Sequence, residues 1–200
     1  EWGMAAVIGI DEKQIKHILL QNQLDSIDIA NFNSPRQFVI SGLQSDIARA
    51  KLVFETEGIT YILLRVSGAF HSRYMGEARE QFKNYIDSFA LSECTIPVLS
   101  NVNARYYQKN DMKINLVRQI TESVRWCETV QVLMGFEGME IKEIGPGNVL
   151  TGLMRKITAE ATPIYLPLET EHQQPTNSTI LQQSNSDSDE KHFIEHPHYK

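Results

Sequence analysis

The chain has 200 residues, 42% of them hydrophobic and 8% aromatic, with a formal charge of −6. That apolar content can bury a real core, while a net negative charge without clustered Lys and Arg argues against nucleic acid. No apolar run approaches the roughly 18 residues of a membrane span.

The acidity is uneven, because residues 161–200 carry six acids against two lysines. The body is therefore close to neutral. Cys94 and Cys127 are the only cysteines. They are too few for a disulfide scaffold and are not spaced like zinc ligands, so no metal is expected and a reducing, cytoplasmic setting fits.

In chain order, Met4-Ala5-Ala6-Val7-Ile8-Gly9 reads as a buried strand. Asp11 with Gln14 three residues on has the form of a capping box, and Ile15, Ile18 and Leu19 then give one apolar helical face. Ile27–Phe32 alternates like a strand, Asn33-Ser34-Pro35 is a turn, and Gln37–Ser41 is a second strand. A helical stripe follows through Ile47, Ala50 and Phe54, stops at Gly58, and leads into the strand Tyr61–Val66. The order βαββαβ over residues 3–66 predicts a ferredoxin-like subdomain, its two helices on one face of a four-stranded antiparallel sheet.

The pattern changes after His71. Met75, Ala78, Phe82, Tyr85, Ile86 and Phe89 predict an amphipathic helix, and Pro97–Val102 a strand. Short helices are expected around Ile114–Ile120 and at Trp126, Val130 and Leu133. Met139–Ile144 predicts another strand, and Gly145-Pro146-Gly147 turns into a last helix with Leu150, Leu153, Met154 and Ile157. Residues 67–168 thus read as the end of a larger α/β domain, too poor in strands to stand alone. Residues 169–200 turn to Gln, Asn, Ser, Thr, Asp and His and predict a polar disordered linker or tail. Four of the six histidines lie there (His172, His192, His196 and His198), and a solvated linker explains them better than a metal site, which needs a rigid frame. The chain starts at Glu1 without an initiator Met and reads as a fragment.

The chemistry centres on Ser67-Gly68-Ala69-Phe70-His71-Ser72. Small residues let the backbone turn tightly, and a histidine on a loop after a sheet strand is well placed to act as a general base. A lone histidine is also a common structural residue, and on the residues alone both readings stand. Gly145-Pro146-Gly147 lacks the further glycines and the Lys of a phosphate loop, so a tight strand-to-helix turn is the better reading there.

Four segments together resemble the C-terminal part of malonyl-CoA:acyl carrier protein transacylases and of polyketide synthase acyltransferase domains. They are Gly3–Val7, Asn31–Gly42, Gly68–Ser72 and Glu143–Leu153, in family order and at family spacing. The histidine run further resembles free-standing acyltransferases that serve polyketide assembly lines. The resemblance implies the C-terminal part of an α/β hydrolase-like acyltransferase domain with the ferredoxin-like subdomain inserted in it. It implies ping-pong transfer of a malonyl group from coenzyme A, through a serine ester, to the phosphopantetheine thiol of an acyl carrier protein, with no cofactor.

In that scheme His71 is the base, oriented by a backbone carbonyl at Gln119. Phe70 is expected to bear on acyl choice, since its ring would crowd an α-methyl branch. Met4, Asn31 and Asn33 match positions near the acyl chamber, though core packing accounts equally for Met4, and capping of the turn before Pro35 for the two asparagines. The partners implied are malonyl-CoA and the carrier protein, with a further domain possible after the linker.

The family's Gly-His-Ser-x-Gly-Glu elbow is missing from the chain, and its carboxylate-binding arginine and oxyanion-hole glutamine precede residue 1 in family order. None of Arg36, Arg65, Arg73 or Arg118 matches that arginine by motif, and Ser34, Ser41 and Ser72 lie in no elbow. The 200 residues alone are expected to be inactive. Two rivals stay open: an acyl hydrolase using the same Ser–His chemistry, and a non-catalytic module that docks carrier protein.

Overall fold

Strand β1, Trp2–Ile8, is buried from Gly3 to Val7 without alternation, the mark of a strand covered on both faces. It is central in a four-stranded sheet with β2 (Asp28–Ser34), β3 (Gln37–Leu43) and β4 (Thr60–Leu63). The order is β2-β3-β1-β4 and every neighbouring pair is antiparallel. This computed structural model describes residues 1–167, so the expected linker at 169–200 and its four histidines lie outside the described residues.

Helices α1 (Glu12–Gln21) and α2 (Gln44–Thr56) follow β1 and β3. The capping box forms as expected: Asp11 Oδ1 accepts the Gln14 N–H at 2.8 Å, and Gln14 Oε1 accepts the Asp11 N–H at 3.0 Å. The predicted helix faces, Ile15, Ile18 and Leu19 on α1 and Ile47, Ala50 and Phe54 on α2, are buried against Ala5, Val7, Phe38 and Ile40 of the sheet. Phe54 stacks on Tyr61 at 5.9 Å between ring centres, and the Tyr61 hydroxyl donates to the Ile47 carbonyl at 2.7 Å.

The other face of the sheet carries Met4, Ala6, Ala30 and Val39, with Leu64 against them. A β-bulge between Ile29 and Asn31 sets both Ala30 and Asn31 opposite Val39.

Beyond β4 come a 3-10 turn at Arg73–Met75 and helices α3 (Gly76–Asp87), α4 (Met112–Arg118), α5 (Trp126–Met134) and α6 (Val149–Glu160). Helix α3 packs on α4, while α5 and α6 pack on each other and on β2.

Here the structure corrects three expectations. The segment Pro97–Val102 folds back on itself, the Tyr107 N–H donating to the Val98 carbonyl at 2.9 Å, with one isolated bridge between Leu99 and Tyr106. Met139–Ile144 joins no ladder, and Ile144 is 97% exposed. The strand expected over Tyr61–Val66 ends at Leu63. A strand exists only by continued pairing of its backbone. The Leu64 N–H still donates to the Met4 carbonyl at 2.9 Å, and Leu99 and Val124 make single bridges to Tyr106 and Asn31, but none of these extends into a ladder. Among the described residues the α/β pattern of residues 67–167 is thus realised as helices joined by chain that pairs only at isolated bridges.

Candidate active site

His71 follows β4 on a loop whose backbone takes an uncommon form, with φ of +56° at the histidine itself. A non-glycine residue adopts the left-handed region only when its surroundings hold it there. Before it, Gly68 and Ala69 are buried. A Cβ on Gly68 would meet the Phe70 ring at 3.3 Å, so glycine lets that ring fold back over the turn. After it, the buried Ser72 donates its hydroxyl to the Ala69 carbonyl and receives the Tyr74 N–H at 3.3 Å.

The half-buried imidazole meets Gln119 at the end of α4. His71 Nδ1 lies 2.9 Å from the Gln119 backbone carbonyl. A carbonyl only accepts, so this contact puts a proton on Nδ1, and in the neutral ring the lone pair is then on Nε2. The side-chain amide nitrogen of Gln119 stands 3.2 Å from the same Nδ1, donor facing donor, while its Oε1 is buried without a partner among the described residues. Turning the amide over places Oε1 toward the Nδ1 proton and resolves the clash.

One face of His71 lines a groove of about 810 Å3. Within it Glu12 pairs with Lys16 and Asp28 with Arg73, while the groove's Arg125 and Glu122 pair with Glu128 and Arg118 outside its lining. Arg79 also lines it, with a buried Nε that has no hydrogen-bond partner among the described residues. Sequence reasoning missed Asp28, Arg79 and Ser123, which carry no motif and reach this groove through the tertiary fold.

The one serine among the described residues lining the groove is already engaged. The Ser123 hydroxyl donates to the Ile29 carbonyl at 2.6 Å. Ser34, Ser41 and Ser72 are buried. Cys127 lies outside this groove, and burial, with Glu128 and Glu160 nearby, pushes its thiol up to about 11, so it is protonated at neutral pH. Of the arginines weighed from sequence, Arg36 donates to the Gly9 carbonyl, Arg73 is held by Asp28 and Arg118 by Glu122.

The structure brings His71 and Gln119 together as expected. Phe70 is adjacent and 39% exposed. Met4 is buried, on the sheet face without α1 and α2. Asn31 is on β2 opposite Val39, and Asn33 lies in the irregular end of the same strand; both are half-buried. Neither these two nor Met4 line the His71 groove among the described residues. The Gly145-Pro146-Gly147 turn is no phosphate cradle, because the Glu143 carboxylate already accepts the N–H groups of Leu150 and Thr151 and the Thr151 hydroxyl.

A left-handed histidine loop, its ring held through Nδ1 by a main-chain carbonyl, is an arrangement that can take up and return a proton at Nε2. Comparison with known proteins then places the chain. No protein-family model matches it. It is 48% identical over 168 residues to the polyketide biosynthesis protein PksE of Bacillus subtilis, covering 82% of this chain and 22% of that protein. It is 48% identical over 165 residues to the polyketide biosynthesis malonyl CoA-acyl carrier protein transacylase PksC of the same organism, covering 80% of this chain and 57% of PksC. The crystal structure of malonyl CoA-acyl carrier protein transacylase from Burkholderia pseudomallei superposes with a TM-score of 0.78 at 39% identity, over 82% of this chain and 58% of that one. Over the matched residues the chain is similar to malonyl-CoA:acyl carrier protein transacylases, and it spans little more than half the length, or less, of the relatives it matches.

Proposed function

We propose that this chain is the histidine-bearing portion of an acyltransferase that moves a malonyl group from coenzyme A to an acyl carrier protein, in polyketide or fatty acid biosynthesis. The observation that carries the reading is the 2.9 Å contact between His71 Nδ1 and the Gln119 carbonyl. It leaves Nε2 unprotonated and fixed in direction, as a base for a serine hydroxyl must be.

In the first half-reaction His71 Nε2 takes the proton of a serine Oγ as that oxygen attacks the thioester carbonyl. The proton then goes to the departing thiolate of coenzyme A. In the second half-reaction Nε2 takes the proton of the phosphopantetheine thiol, which attacks the serine ester, and returns it to the serine as the malonyl group leaves. No cofactor enters the scheme. The serine and the carboxylate-binding arginine belong to the segment that precedes residue 1 in family order.

Residues 3–66 are the ferredoxin-like subdomain, a reading supported by the β2-β3-β1-β4 order with α1 and α2 on one face. Residues 67–168 are the end of an α/β hydrolase-like large domain. Phe70, beside the base and partly open, restricts acyl choice. A pocket that discriminates one methyl is worth about 1–3 kcal/mol. Met4, Asn31 and Asn33 contribute to the acyl chamber's wall, and the family position of Met4 and Asn31 on the sheet's second face supports this. The setting is cytoplasmic; among the described residues no helix is long and apolar enough to cross a membrane.

The test is serine loading from radiolabelled malonyl-CoA by the intact acyltransferase that contains this chain. His71→Ala is expected to slow loading by at least about a hundredfold, the low end of what a general base supplies, while the fold by circular dichroism stays unchanged. Near-normal loading of that variant would sink the assignment of His71. Label released as free malonate without carrier protein would turn the reading to a hydrolase, and a wild type that never loads would leave a docking module.

A further inference from the structure

Two segments must be held in register for His71 to work as proposed, the histidine loop and the Gln119 turn, and they are 48 residues apart. Both are tied to one structural element, the outer edge of β2. On the Gln119 side, the Ser123 hydroxyl donates to the Ile29 carbonyl at 2.6 Å, the Val124 N–H to the Ala30 carbonyl at 2.8 Å, and the Phe32 N–H to the Val124 carbonyl at 2.9 Å. On the histidine side, Asp28 accepts the backbone N–H of Arg73 at 2.8 Å, and its two oxygens also receive the Arg73 guanidinium. The Tyr74 hydroxyl donates to the Ser26 carbonyl at 2.8 Å, just before the strand.

We infer that Asp28 is a positioning residue of this acyltransferase, which holds the left-handed His71 so that its ring meets the Gln119 carbonyl, with the β2 edge as their common frame. The inference rests on the reading of His71 as the base. The Arg73 side chain is 57% exposed, and an ion pair so wetted adds little to stability. The bond to the Arg73 main chain is different in kind. It fixes the backbone two residues past a histidine whose φ is +56°, where relaxation toward the ordinary extended or helical regions would swing the ring away from Gln119. The described hydrogen bonds of the Asp28 carboxylate all go to Arg73 and none to the ring, so its effect passes through the His71 backbone.

The roles of charge and position separate by substitution. Asp28→Ala removes the acceptor of the Arg73 N–H. Asp28→Asn keeps an amide oxygen able to accept it, and Arg73→Ala keeps the N–H while losing the ion pair. In the intact acyltransferase, with malonyl-CoA as the probe, Asp28→Ala is expected to lower the rate constant of serine loading by about 10–100-fold. The KM should stay within about twofold, since ground-state binding is untouched. Asp28→Asn is expected to recover most of that rate, and Arg73→Ala to lose much less than Asp28→Ala. Wild-type loading by Asp28→Ala, or failure of Asp28→Asn to restore the rate of a folded protein, would overturn the inference.

A second readout does not depend on activity. The 15N shifts of the His71 imidazole should report a single Nδ1–H form in the wild type and a mixture of both tautomers in Asp28→Ala. A wild type that loads no malonyl but shows this change would reject the catalytic reading and keep the positioning one. Retention of the single tautomer in Asp28→Ala overturns the positioning role, whatever the loading assay gives.

Discussion

The two halves of the described chain have comparable apolar content in their helices and very different fates for it. In residues 1–66 each apolar face meets its complement: α1 and α2 close over one side of the sheet, and β1 is buried on both. In residues 67–167 much of the apolar surface is left open. Of the six positions predicted as the buried stripe of α3, only Ile86 is buried, while Tyr85 is 64% exposed. The lesson is that an amphipathic pattern states what a segment needs, and the partner need not be near in sequence. The first half finds its partners within about sixty residues, whereas the matched relatives are longer than this chain.

The sharpest way to break this comparison is a deletion in the closed half. Phe54 is fully buried and stacked on Tyr61. Phe54→Ala should cost about 3–5 kcal/mol, the range for truncating a buried aromatic ring. Denaturant unfolding followed by the fluorescence of the residual fold measures it, and a loss below about 1 kcal/mol would show that the first half is not a self-sufficient core.

What was legible in the sequence follows the same division. The capping box at Asp11 and Gln14, the βαββαβ order and the faces of α1 and α2 could all be read, because local periodicity and short loops determine them. His71 could be singled out from its loop as one of two readings, but Gln119 and its pairing with His71 came only from the family resemblance, which carried a contact across 48 residues that no local pattern encodes. Asp28 could not be found at all. Nothing in Ile27-Asp28-Ile29 distinguishes a solvent-facing strand acid from one that accepts a main-chain N–H from Arg73. The strands expected at Pro97–Val102 and Met139–Ile144 fail for the opposite reason: the pattern is present and the pairing edge is not.

A smaller effect probes the open half at the start of α6. Glu143 caps α6 across the Gly145-Pro146-Gly147 turn, and its bonds from the Thr151 hydroxyl, then the Thr151 and Leu150 N–H groups, hold its carboxyl below the usual carboxylate range. A lowered folded value means that the cap contributes fully above the ordinary carboxylate pKa and is lost as pH falls through the lowered one. Glu143→Gln should therefore speed amide exchange at Leu150 and Thr151 several-fold at neutral pH. It should also remove the acid-side loss of protection that the wild type shows at these two amides. An unchanged acid limb in the variant would mean that another group governs this helix end.

The smallest expected effect is the most direct test of the contrast between the halves. Tyr85 lies on the open stripe of α3, its ring 4.8 Å from that of Phe89, and neither ring is covered by another element among the described residues. An exposed pair of this kind gives little area to the core, so Tyr85→Ala should change the stability of the 200-residue chain by no more than about 0.5 kcal/mol, the ordinary range for a surface substitution. If the open stripe is instead a seat for a segment that the longer relatives carry, the same substitution in a protein that holds both should cost about 3–5 kcal/mol, as truncation of a buried aromatic side chain does. Equal and small losses in both settings would show that the α3 stripe is true surface. The contrast between the halves would then be one of composition and not of missing partners.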